Sequence, residues 1–261
     1  MNLDLVPIWM VFIGTILLVM LFIELGYRLG GIAHRRSAKE KESPISGVTG
    51  TVLGLSAFIL AFTFSIVTQR YDTRKALVRD DADAIRTSYL RAGFLPEPDR
   101  TVSRRLLHDY LRGRLVLARG SSIGPRELAR FLADSELAHR RLWNIAVANA
   151  ERDMNSDVAA LYIESINQMM DVHATRLAIG VRMRIPMGIW IVLYSLTLLG
   201  MISMGYHAGI VESKRTNATW ILSLSFAMVI TLIAALDRPW GAAAVTQQPL
   251  VDLEQFISAE R

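Results

Sequence analysis

Three hydroxyl side chains, Thr49, Ser56 and Thr63, recur at seven-residue spacing in an apolar run, in line with Arg70. Leu53, Leu60 and Val67 each follow a hydroxyl by four residues. On a helix, positions seven apart share nearly one line. A row of this kind alternates groups that replace part of an ion's hydration with aliphatic side chains that close a channel by dewetting. It would line a narrow conduit if it faced an axis of association. It would be an ordinary packing face if each hydroxyl bonded back to the preceding turn. Arg70 and Arg74 follow where polar sequence resumes, placed either to concentrate anions at a mouth or to anchor on lipid phosphates.

A second face of the same run carries Gly47, Gly50, Gly54, Ala57, Ala61, Ser65 and Thr68. Small residues at such steps let membrane helices approach closely. Glu24 is the one ionisable residue inside an apolar run, and Arg28 at i+4 predicts a snorkelled pair. Asp80, Asp81 and Asp83 fall within one helical turn and lack the glycine loop of a calcium site, so a solvated or Arg-paired face is expected. The histidines (His34, His108, His139, His173, His207) are scattered, and Asp171 and His173 diverge on a helix, so no metal site is expected. With no cysteine there is no disulfide, thiolate ligand or cysteine nucleophile. Nucleophile elbow, phosphate loop and dinucleotide glycine patterns are all missing, which leaves enzyme chemistry and cofactors without a foothold. The net charge of +5 comes without a basic stripe interleaved with aromatics, so nucleic acid is not an expected partner.

The elements that must position these residues are read from hydropathy. Leu5–Leu25, Gly47–Thr68, Ile185–Tyr206 and Ala218–Leu236 are apolar runs of 19–22 residues. At about 1.5 Å per residue each crosses a ~30 Å hydrocarbon core. The first run has no basic leader or small-residue cleavage site and is read as a retained span. Between the second and third runs lies an Arg-rich region with helical periodicity. The second helix is expected to continue to about Leu95, where Pro96-Glu97-Pro98-Asp99 stops it, with Asp99 capping a helix over about 101–119. Pro125 opens a helix to about Asp153, and Asn155-Ser156-Asp157 caps a last one through Leu177. No stretch alternates at period two. The expected fold is an all-α membrane protein: four transmembrane helices in two hairpins, with a helical polar domain inserted between the second and third spans. The division is 1–68 first hairpin, 69–184 helical domain, 185–236 second hairpin and 237–261 C-terminal tail. Seven Lys/Arg in the short loops against nine or ten beside the other span ends leave orientation open by charge alone.

The run Gly54-Leu-Ser-Ala-Phe-Ile-Leu-Ala-Phe-Thr-Phe-Ser65 is followed by Arg70-Tyr71-Asp72, Asp81-Ala82-Asp83-Ala84-Ile85, Ser88-Tyr89-Leu90-Arg91-Ala92 and Leu95-Pro96. With the closing Leu236-Asp237-Arg238-Pro239-Trp240-Gly241, this resembles the bacterial bestrophin-like membrane proteins. The resemblance implies kinship to pentameric anion channels with cytosolic termini and a pore lined by the second span. It implies a neck on Ile59, Phe62 and Ile66, which lie off the hydroxyl row. Asp81 and Asp83 stand where relatives more often carry Glu and Asn, and Arg86 where Gly is usual.

The expectation is therefore a multi-pass protein of the bacterial inner membrane with its helical domain in the cytoplasm. It would be a homo-oligomer in lipid, conducting a small anion such as chloride along Thr49, Leu53, Ser56, Leu60, Thr63 and Val67, with Arg70 and Arg74 at the mouth. The competing expectation is a membrane-anchored helical scaffold or sensor with no transport. A secondary transporter is disfavoured, because no span carries a midplane charge or a break.

Overall fold

A computed structural model describes residues 6–36, 42–119, 124–179, 184–211, 218–238 and 243–260. Among the described residues eight α-helices run in the order α1 (Ile8–Arg36), α2 (Glu42–Arg91), α3 (Asp99–Arg119), α4 (Pro125–Arg152), α5 (Asp157–Leu177), α6 (Met187–Ile210), α7 (Ala218–Asp237) and α8 (Gln248–Ala259). No strand occurs among the described residues. Four helices are long and apolar enough to cross a membrane, over Ile8–Arg35, Ser46–Phe94, Met187–Ile210 and Thr219–Asp237.

The chain divides into two units, residues 1–70 with 184–238, and residues 71–183 with 239–261. In the first, α1 and α6 run parallel with their backbones in direct contact. A side chain at Gly26 would collide with the Ile202 carbonyl, one at Gly30 with Tyr206, one at Gly205 with Ile23 and one at Gly209 with Tyr27. Glycine is required here because the neighbour is main chain, which cannot swing away. The small residues expected to bring helices together on α2 do not do so within the chain: nothing lies within 4 Å of a Cβ built at Gly47, Gly50 or Gly54. Thr15 and Tyr194 join α1 to α6 at 3.1 Å. Beside them a cleft of about 450 Å³ between α1, α6 and the end of α7 is lined mainly by apolar side chains. Glu24 and Arg28 form the expected pair at 2.8 Å.

The second unit packs the rest of α2 with α3, α4, α5 and α8 around Ile85, Leu107, Leu111, Leu142, Tyr162, Ile166 and Met169. Its helix ends are built from short polar residues. Ser156 Oγ accepts the Ala159 N–H at 3.2 Å. Glu127 accepts the Gly124 N–H at 3.2 Å, just ahead of Pro125. At α3 the cap differs from expectation. Glu97 accepts from the Thr101 N–H and hydroxyl at 3.4 and 2.8 Å. Asp99 sits in the first turn and instead receives Asn149 at 2.9 Å and pairs with Arg152 at 3.2 Å, tying α3 to the end of α4.

The segment 237–261, expected as a tail, holds the end of one helix and the whole of another. Asp237 ends α7, and α8 is part of the second unit's core. Leu250, Leu253 and Ile257 are buried, Arg112 pairs with Glu254 at 3.6 Å, and Arg86 lies 4.6 Å over the Phe256 ring. The i, i+3, i+7 apolar spacing after Pro249 is the signal that identifies such a helix.

Candidate functional site

The hydroxyl row of α2 is turned into its own unit. Ser56 and Thr63 are each 2% exposed, and Thr49, Leu60 and Val67 are also buried, with Leu53 half-buried against α6. Ser56 Oγ donates to the Val52 carbonyl at 2.9 Å and Thr63 Oγ1 to Ile59 at 2.7 Å. Thr49 instead meets Ser203 Oγ of α6 at 2.7 Å. A hydroxyl bonded to its own helix four residues back has no proton left to offer and packs as a small, nearly apolar group. In one chain this row is therefore a packing face. Ile59 and Ile66 are half-buried, so of the neck residues implied by resemblance only Phe62 is exposed.

The opposite face of α2 is open. At 3.6 residues per turn, Gly47, Gly54, Phe58 and Ser65 lie about half a turn from the hydroxyl row. Phe58 is 65% and Phe62 58% exposed, and Gly50, Ala57, Ala61 and Ser65 are exposed beside them. An apolar helix face with backbone-level access and two large rings is what a second membrane helix or a narrow lumen can use.

At the end of this unit Asp237 gathers three elements. Its Oδ1 accepts the Ile185 N–H at 3.1 Å and lies 4.0 Å from Arg70 Nη1, while its main-chain oxygen accepts from Arg184. The expected mouth cation Arg70 thus faces a carboxylate that also pins the entry to α6. Arg238 follows, half-buried, and Pro239 lies outside the described residues. Tyr71 and Arg74 are half-buried, and Asp72 is exposed.

The acidic triplet separates. Asp80 and Asp83 are exposed, whereas Asp81 is fully buried between two arginines. Arg114 approaches its two oxygens at 3.2 and 3.3 Å, and Arg176 bonds it and also Gln247 Oε1. Arg114 Nη2 donates to Tyr110 Oη at 2.7 Å and to His173 Nδ1 at 2.8 Å, and Tyr110 Oη lies 2.9 Å from the same nitrogen. Two donors converging on Nδ1 require that nitrogen unprotonated. Burial first, then the charge of Arg114, lowers His173 to about 3. The same two causes, in that order, lower His139, whose ring stands perpendicular to His173 at 4.8 Å. Burial raises the Tyr110 hydroxyl above its ordinary value. Five segments meet here, and no sequence spacing predicts it. The sequence signal is that Asp81 shares a helix face with Leu77, Val78 and Ile85 while Asp80 and Asp83 lie off it.

A family model described as the Bestrophin-like domain matches residues 9–250. The chain is similar to two solved variants of a bacterial bestrophin homolog from Klebsiella pneumoniae. Both are 15% identical to it, with TM-scores of 0.65 and 0.67 over 96% and 97% of this chain and 99% and 98% of theirs. A further solved chain, described only as a membrane protein, is 15% identical with a TM-score of 0.66 over 98% of each. No curated protein matches the chain.

Proposed function

The chain belongs to the bestrophin-like family, and from that premise we propose that it is a homo-oligomeric pore for a small anion such as chloride. The pore is lined by the open face of α2 and not by its hydroxyl row. Phe58 and Phe62 form the dewetting constriction, with Gly47, Gly54 and Ser65 allowing copies of α2 to crowd around one axis. Arg70 and Arg74, one turn apart, supply a positive field beyond Ser65, Arg70's share being reduced by Asp237. The helical unit is assigned to the cytoplasm of an inner-membrane protein, following the family resemblance. The observation carrying the reading is the exposure of Phe58 and Phe62 beside the small residues Gly47, Gly50, Gly54, Ala57, Ala61 and Ser65 of a spanning helix. A buried row cannot conduct, and an open one can.

The chain has no native cysteine, so single cysteines report without background. Charged thiol reagents are expected to modify Phe58→Cys, Phe62→Cys and Ser65→Cys and to block chloride flux from liposomes. Ser56→Cys and Thr63→Cys should stay inert. Phe58→Ala should raise flux by widening the constriction. Liposomes carrying purified protein that stay as tight as empty ones would sink the pore and leave the scaffold reading.

A further inference from the structure

The buried knot around Asp81 does not balance its charge. Arg114 is 6% exposed and Arg176 mostly buried, and both converge on the single carboxylate of Asp81. Arg176's other partner is the neutral Gln247. His139 and His173 hold no charge at neutral pH in this setting. Glu136, the nearest acid on α4, is 60% exposed and occupied by Arg140 at 3.2 Å. One unit of positive charge therefore remains in a desolvated place, which is costly unless an anion accompanies it.

Three buried polar atoms of this knot have no hydrogen-bond partner: Arg114 Nε, although it lies near Asp81, and Ser135 Oγ and His139 Nε2. Ser135 and His139 are 2% and 6% exposed. They sit one turn apart on α4, at i+4 and i+8 from Phe131, so all three share one face. That face meets Arg114, whose guanidinium lies 5.2 Å over the Phe131 ring, and the His173 ring. A hydroxyl donates, and so does the imidazole in the tautomer that carries its proton on Nε2, and the field on them is positive. A metal cation is repelled by this set. One surplus charge and two donors fit a monovalent ion and leave a multiply charged oxyanion short of donors.

We propose that Ser135 Oγ, His139 Nε2 and the Arg114 charge form a binding site for one halide ion inside the helical unit. The site is separate in residues from the α2 face and stands whether or not the chain conducts. In that case the ion locks α3, α4 and α5 together, and halide becomes a ligand of the domain.

The test is diffraction from crystals of the full chain grown in bromide. An anomalous peak within hydrogen-bond reach of Ser135 Oγ and His139 Nε2 is expected. Solution measurement runs beside it: the melting midpoint in detergent, with chloride exchanged for gluconate at constant ionic strength. Chloride should raise the midpoint of the parent chain. Ser135→Ala and His139→Leu should each weaken the halide dependence roughly tenfold or more. Density at the knot without anomalous signal means water and overturns the proposal. So does a chloride shift that survives intact in both variants. Failure of the flux assay with a bromide peak present would refute the pore alone.

Discussion

Lowering the pH from 7 to 5 should destabilise the helical unit through His173. In the unfolded chain a histidine titrates near 6.5. In the fold, burial and then Arg114 lower His173 to about 3. Between those values the unfolded chain binds the extra proton, so stability is full above about pH 6.5 and falls as pH drops toward 3. At pH 5 the unfolded side chain is almost wholly protonated and the folded one is not. The difference is about 1.5 pH units at ~1.36 kcal/mol each, or about 2 kcal/mol lost. That figure is set by the unfolded value, since His173 in the fold stays neutral at pH 5. His139 adds in the same direction. Arg114, His139, Arg176 and Tyr110 surround the ring, and Arg114 opposes a charge on it at 2.8 Å. The direct assay is an imidazole carbon NMR titration of the folded protein, in which His173 should not move between pH 7 and 5. Melting midpoints of the parent should drop over the same range, and His173→Gln should flatten the slope by about 2 kcal/mol. A His173 signal with a midpoint near 6.5, or an unchanged slope in the variant, would refute the reasoning.

Three further perturbations separate the forces at work. Gly205→Ala sets a methyl against the Ile23 main chain and should cost about 1–3 kcal/mol by overpacking, whereas Gly47→Ala should be near neutral; detergent-resistance melting compares them. Asp81→Ala strands two buried arginines and should cost about 3–5 kcal/mol, while the added Arg114→Met change should recover part of that loss in a double-mutant cycle. Leu250→Ala and Ile257→Ala should each cost about 2–5 kcal/mol and expose the helical unit to limited proteolysis, an outcome a loose tail would not give.

How much of this was legible depended on whether one helix or several decided the outcome. Spans are set by length and hydropathy within a single segment, so all four were readable, as were the stop at Pro96 and the starts at Pro125 and Ser156. Glu24 and Arg28 were readable because i and i+4 is a local rule. The Asp81 knot was not, since Tyr110, Ser135, His173 and Gln247 come together only after five segments pack. The α3 cap went to Glu97 because Asp99 had a better use with Asn149 and Arg152 on α4. That competitor is fifty positions away. The α1–α6 glycine contact is also a matter of two partners. Gly26 and Gly30 are one turn apart, and Gly205 and Gly209 repeat the spacing, but only the pairing gives either its meaning.

The packing of α2 follows from what a hydroxyl costs in lipid. Polarity on a spanning helix reads as a reason to face water, although the Thr49, Ser56, Thr63 row fits a packing face as well as a conduit. Yet Ser56 and Thr63 satisfy themselves on carbonyls of their own turn, and so do Thr197 and Ser223 on α6 and α7. Once so bonded, a Thr or Ser is compact and nearly apolar, which suits tight packing between spans better than a Leu would. Bulk, not polarity, then distinguishes the two faces. Large rings such as Phe58 and Phe62 cannot enter the crowded interior beside Val67 and Leu60, so they remain outside with the glycines that no partner in the chain approaches. For a hydrocarbon-facing surface, flush glycines beside protruding rings make a poor seal against lipid. In the homo-oligomer proposed above, the rings of one copy would fill the glycine gaps of the next.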